Sequence, residues 1–199
     1  MNTTRQLICL AIAALGTVSA QAQTNLLSDG DFQNFSSQVA SGTFTTIAAG
    51  SNLGAWAVTG SSVDLIRNAY GSISDVSVDL AGTPGPGTLT QSFNAVAGTT
   101  YTLAWDYFKN ASGEALNVGF GGSSTTYAVV SDITHATLNW TATSSGLQTV
   151  SFGTAVSGNL GPTLDNVTLT AAAVPEPASG ALLLAGIGCM AWVVRRRSS

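Results

Sequence analysis

Thr100-Tyr101-Thr102-Leu103-Ala104-Trp105-Asp106-Tyr107-Phe108 is the stretch on which the fold turns. In an extended chain Tyr101, Leu103, Trp105 and Tyr107 share one face, while Thr102, Ala104, Asp106 and Phe108 share the other. Three large rings and a leucine on one side make that side the core face, with Trp105 as a packing residue. Ala136-Thr137-Leu138-Asn139-Trp140-Thr141-Ala142 repeats the pattern, with Ala136, Leu138, Trp140 and Ala142 on its apolar side. Period two, not 3.6, governs both segments.

Working outward, Thr-, Val- and aromatic-rich stretches alternate with Gly, Ser, Asn and Pro clusters along the whole body. Strands are expected near 24–28, 43–47, 54–58, 63–67, 76–80, 87–93, 100–108, 115–120, 126–130, 136–142, 147–152 and 163–170. The predicted fold class is all-β, a single β-sandwich of jelly-roll type. In the last strand Asp165 shares the alternation of Val167 and Leu169, so it is expected to point inward. A buried carboxylate is costly unless something satisfies it.

Composition narrows the function. Of 199 residues only 8% are charged, and the sequence pI is about 4.5. No basic patch is available to meet phosphates, so nucleic acid is excluded as a partner. Between the two ends the acids are Asp29, Asp31, Asp64, Asp75, Asp79, Asp106, Glu114, Asp132 and Asp165, and the bases are Arg67 and Lys109. Nine acids and two bases leave −7, a charge suited to neutral ligands or cations rather than anionic polymers. Cys9 and Cys189 both lie in terminal apolar segments, so the body has no disulfide and no Cys-based zinc site.

The ends read as addresses. Residues 1–22 run from Arg5 through an apolar Leu7–Val18 to Ala20-Gln21-Ala22, the order of a secretory signal peptide, with cleavage expected after Ala22. Residues 23–173 form the single domain. Val174-Pro175-Glu176-Pro177 follows, then a transmembrane segment at about 178–194 and the triplet Arg195-Arg196-Arg197. Such a basic end stays cytoplasmic and leaves the body outside. The fold is thus expected to be flanked by a signal helix and a C-terminal transmembrane helix.

This last arrangement resembles the PEP-CTERM sorting tail of exported bacterial proteins. The resemblance implies processing by an exosortase near Pro175-Glu176-Pro177, with transient residence in the inner membrane and then release to the cell surface or extracellular matrix. The body has its own likeness, carried by Asn25-Leu26-Leu27, Asp29-Gly30-Asp31-Phe32, Trp56-Ala57-Val58-Thr59-Gly60, Ser77-Val78-Asp79-Leu80 and Leu164-Asp165-Asn166-Val167. In that order they resemble the choice-of-anchor C family, related to galactose-binding-like jelly rolls. The resemblance implies carbohydrate binding or a matrix role. It also implies a structural calcium between the opening segment and the last strand, with Asp29, Asp31 and Asp165 as its carboxylates. Calcium takes six to eight oxygens, so Gln33 and backbone carbonyls would complete the shell; many relatives have Glu where Gln33 stands.

Catalysis is not expected. His135 is the only histidine and reads as a solvated loop residue, and no Gly-x-Ser-x-Gly elbow occurs. The expected function is a non-catalytic module for neutral extracellular polysaccharide, with Trp56 and Tyr70 as its aromatic platform. The alternative is a structural matrix or biofilm protein with no defined small ligand.

Overall fold

The computed structural model describes residues 23–110, 115–172 and 186–187. Twelve strands follow one 3-10 turn, Gln33–Gln38. They are β1 (Thr43–Ala48), β2 (Asn52–Leu53), β3 (Trp56–Gly60), β4 (Ser62–Arg67), β5 (Val76–Asp79) and β6 (Gly87–Ala95). The second half comprises β7 (Thr100–Phe108), β8 (Ala115–Phe120), β9 (Ser123–Ala128), β10 (Thr134–Thr141), β11 (Gly146–Gly153) and β12 (Thr163–Ala171). They form two six-stranded antiparallel sheets: sheet A in the order β1-β4-β5-β12-β7-β10, and sheet B in the order β2-β3-β6-β11-β8-β9. Expected strands and observed ones coincide within a few residues, except that the two-residue β2 was not expected and the first expected strand does not form. Residues 24–28 lie beside β12 without becoming a strand, held by Leu26 N–H to Leu169 O at 2.7 Å and by Leu169 N–H to the Asn25 side chain at 2.8 Å.

Alternation builds the core. The inward residues of β7 (Tyr101, Leu103, Trp105, Tyr107) meet those of β6, β8 and β11 across the sandwich. Trp105 packs edge-on against Phe152 and Tyr127, and Trp56 against Phe152, so one aromatic cluster ties the two sheets together. Phe32 of the opening segment is fully buried and joins it beside Trp56. Among the described residues the buried core runs from Leu27 to Leu169 and forms one cluster between the two sheets, the single core expected of one domain.

Two local devices shape the sheets, one in each. Gly121 and Gly122 have φ of 62° and 79°, the pair of positive values that a two-residue hairpin of type I′ demands; they turn β8 back into β9. The second device is a bulge in β12 between Asp165 and Thr168, where Asn166 adopts φ 51°. One extra residue reverses the side-chain alternation. Leu164 and Val167 both reach the core, while Asp165 pairs with Asp106 on the outer face of sheet A. The expected inward orientation of Asp165 is therefore corrected: it is buried, but beneath the loops that cover the sheet, not between the sheets. His135 is corrected too, since it lies on β10 rather than in a loop, with Nδ1 2.7 Å from Asp106 Oδ1.

The signal segment with Ala20 and Ala22 and the tail residues Val174, Pro175, Glu176, Pro177, Arg195, Arg196 and Arg197 lie outside the described residues. So does the expected span 178–194, apart from 186–187. Among the described residues no helix is long and apolar enough to cross a membrane.

Candidate functional site

Strand register gathers the polar chemistry on the outer face of sheet A. Thr46, Asp64, Asp79, Thr163 and Phe108 lie side by side across β1, β4, β5, β12 and β7. The neighbouring row contains Phe44, Ile66 and Ser77, then Asp165, Asp106 and His135. Four of the body's aspartates thus share one face, and loops 68–75 and 158–161 cover much of it. Asp64, Asp79 and Asp165 are buried.

A shallow pocket opens over this face between Phe44, Asp64, Ile66, Tyr70, Asp79, Thr83, Asn159 and Leu160. Its roughly 330 Å³ of empty space includes open solvent, so it is a surface depression, smaller than the cavities that enclose drug-sized ligands. Phe44 and Tyr70 stand at its rim, 42% and 48% exposed, with rings 5.5 Å apart in an edge-to-face pair at 85°. Exposed Leu160 adds a third apolar group. Isolated surface hydrophobes need no explanation, but a cluster beside convergent polar groups is what a binding site requires. The backbone supports the same reading: Tyr70 holds φ 52° and Asn68 φ 50°. A tyrosine in the left-handed region is strained, and such strain concentrates at functional positions.

Two carboxylates form the floor. Asp64 Oδ1 accepts from Thr46 Oγ1 at 2.7 Å and from Thr83 N–H at 3.1 Å, and Oδ2 accepts from Thr83 Oγ1 at 3.1 Å. Asp79 Oδ1 accepts from Ala81 N–H at 2.8 Å and Gly161 N–H at 2.9 Å, and Oδ2 from Asn110 Nδ2 at 2.7 Å. Burial nonetheless pushes the Asp79 carboxyl up to about 7; the three hydrogen bonds oppose this, and the neighbouring Asp64 charge adds to it.

Of the two expected platform residues, the structure brings Tyr70 to the pocket and withdraws Trp56. Trp56 has no exposed surface, and its indole N–H donates to Asp29 O at 3.2 Å. A ring with no free face cannot stack on a ligand, so Trp56 is a core residue. Phe44 takes the second aromatic place. It was not legible in sequence, because only β1–β4 register and the fold of loop 68–75 bring it to Tyr70.

The expected calcium ligands are not assembled. Among the described residues no group of three or more His, Cys, Asp or Glu is placed to hold a metal. Asp165 is engaged by Ser74 Oγ, Ser77 Oγ and Asn166 N–H, and burial, the largest influence, holds its carboxyl above the ordinary range. Asp29 accepts from Asn34 Nδ2 at 2.9 Å, and Asp31 is exposed. Gln33 turns its amide N–H₂ toward Ser74 Oγ at 2.8 Å, Asp31 O at 2.9 Å and Val76 O at 3.0 Å. Two of those acceptors are carbonyls, so the amide must present nitrogen there. Toward these three groups Gln33 thus presents N–H donors rather than the oxygen that a calcium shell takes.

Residues 25–170 match a family described as protein of unknown function, DUF642. The chain belongs to this family. The DUF642 region runs from the Asn25 contact with β12 to residue 170, near the end of that strand, so the pocket lies wholly within it. Residues 173–197 match the PEP-CTERM protein-sorting motif, which marks exported proteins in general. No curated protein matches the chain. Solved structures resemble the DUF642 body at low identity. A "Family 16 Carbohydrate Binding Module-2" shares 19% identity over 54% of this chain and 84% of its own, with TM-score 0.42. TmCBM61, solved with β-1,4-galactotriose, shares 13% over 73% and 97%, with TM-score 0.43. An exo-β-1,3-galactanase from Phanerochaete chrysosporium shares 18% over 66% of this chain but only 30% of its own, with TM-score 0.41. At these scores the ligand has to be argued from the pocket itself.

Proposed function

We propose that this chain is an exported, non-catalytic carbohydrate-binding protein whose sandwich holds neutral polysaccharide in the Phe44–Tyr70 pocket. The observation that carries the reading is the exposed edge-to-face pair of Phe44 and Tyr70 standing over the buried carboxylates Asp64 and Asp79. A sugar ring offers an apolar C–H face to an aromatic rim and hydroxyl donors to carboxylate acceptors. Asn159 and Thr83 supply further polar groups at the same wall. The acidic floor suits ligands without negative charge.

The same carboxylates argue against glycoside hydrolysis. A glycosidase needs two carboxyl groups flanking the scissile bond. Asp64 and Asp79 are direct cross-strand neighbours on one face of one sheet, so both lie on the same side of any ligand in the pocket. Each is also tied down by three hydrogen bonds.

Binding is tested with the folded body, residues 23–172, on an array of neutral and uronate-containing glycans. Tyr70→Asn keeps a residue that tolerates the left-handed backbone and removes the ring. Binding to neutral glycans is expected to weaken about tenfold, roughly 1.4 kcal/mol, with the melting temperature little changed. A folded variant that binds as before removes Tyr70 from the site; a body that binds no glycan removes the reading.

The tail completes the proposal. Its PEP-CTERM motif supports exosortase processing close to Pro175-Glu176-Pro177 after export. Mass spectrometry of the surface-associated protein should find the body without residues 178–199, and an intact tail there would refute processing.

A further inference from the structure

Charge is divided unequally between the two sheets. Strands of sheet A contain Asp64, Arg67, Asp79, Asp106, His135 and Asp165, whereas the six strands of sheet B contain no Asp, Glu, Lys, Arg or His. A contact between copies through sheet A sets these charged strands against each other, and a contact through sheet B brings no charged strand residue to the joint.

Sheet B also ends in an unprotected strand. β9, Ser123-Ser124-Thr125-Thr126-Tyr127-Ala128, pairs only with β8, and among the described residues nothing covers its other edge. Five of its six residues are exposed. An open edge exposes a row of unpaired N–H and C=O groups, and proteins that stay apart blunt such edges with charge, proline or overlying chain. β9 has none of these. The other edges do: β2 is two residues long, β10 carries His135, and β1 is overlaid by its own approach. There Thr43 N–H and Oγ1 both reach Ala40 O, and Thr45 Oγ1 reaches Gln38 O. Beside β9 the loop to β10 leaves Val130 and Ile133 50% and 56% exposed.

We propose that β9 is a self-association edge, on which the β9 of a second copy of this chain pairs antiparallel to join two B sheets into one. Antiparallel pairing of identical strands is self-complementary and closes with two-fold symmetry. It places the Asp132 of each copy at opposite ends of the joint, so these two acids do not oppose each other. Exposed Val130 and Ile133 lie next to the seam. The edge is on sheet B, away from the Phe44–Tyr70 pocket on the outer face of sheet A, so both copies keep an open pocket.

Light scattering after size exclusion, on the 23–172 body over micromolar to millimolar concentration, tests the pairing. The native body is expected to shift reversibly from monomer to dimer. Thr126→Lys puts a like charge on each side of the seam and should weaken association at least tenfold. It also reduces the net negative charge, so a general charge effect would act in the opposite direction. Asn94→Lys makes the same charge change on exposed β6 and should associate like the native body. A native body that stays monomeric at millimolar concentration overturns the proposal. So does a folded Thr126→Lys body that associates unchanged, or an Asn94→Lys body weakened as much as Thr126→Lys.

Discussion

The domain is expected to be more stable at pH 4.5 than at pH 8, the reverse of the usual behaviour of paired carboxylates. Asp79 is the cause. Its carboxyl stands at about 7 in the folded protein against an ordinary 3.8, because burial penalises the charge more than three hydrogen bonds favour it. Between these values the folded state holds a proton that the unfolded chain has released, so stability falls with each step up in pH. The contribution is complete below about pH 4 and lost above about pH 7. A rise of that size corresponds to about 4 kcal/mol. Asp165, also raised by burial, acts in the same direction. Asp75, lowered chiefly by its hydrogen bond to Arg67, acts in the opposite one and matters only as pH falls through the ordinary carboxylate range. Urea denaturation at the two pH values reads the difference. Asp79→Asn should flatten the profile, because it cannot ionise while its oxygen still accepts from Ala81 and Gly161. A native profile that is flat or rises from pH 4.5 to 8 defeats the argument.

Truncating either core tryptophan should cost about 3–5 kcal/mol, since Trp56→Ala and Trp105→Ala each remove a fully buried ring from the cluster joining the sheets. The more discriminating pair is Trp56→Phe and Trp105→Phe. Trp56 Nε1 donates to Asp29 O, so its replacement breaks a bond and leaves a carbonyl without that donor. Trp105 Nε1 is buried with no hydrogen-bond partner among the described residues. Leaving a polar group buried and unpaired costs about 1–3 kcal/mol, so Phe at 105 recovers that cost and offsets the lost contact area. Trp56→Phe should therefore destabilise the domain by about 1–2 kcal/mol more than Trp105→Phe in denaturant titrations. Equal costs for the two would show that the indole N–H groups contribute nothing.

The burial of Trp56 and the exposure of Phe44 beside Tyr70 follow from packing that no local pattern records. Period-two alternation correctly placed Trp105, Tyr101 and Leu103 inside, because in a regular strand the direction of a side chain follows from its parity alone. Parity failed at Asp165, where a single left-handed residue, Asn166, inserts a bulge and moves the carboxylate to the other face. Nothing in Leu164-Asp165-Asn166-Val167 announces this beyond an asparagine, the residue type that tolerates such a backbone.

What the sequence by itself determined is the class of the molecule: an all-β body, nearly free of positive charge, whose strands occur where alternation and turn residues put them, followed by a sorting tail that its own motif identifies. These are local properties, written within a few residues of one another. The tertiary structure alone decided which strands lie side by side. Asp64 and Asp79 became one pocket floor because β4 and β5 are neighbours in sheet A. Phe44 met Tyr70 because β1 pairs with β4 and the loop after β4 folds back over the sheet. Gln33 met Ser74 and Val76, more than forty residues away in sequence. Such contacts depend on register and crossover between distant segments, and alternation within a strand contains no information about either.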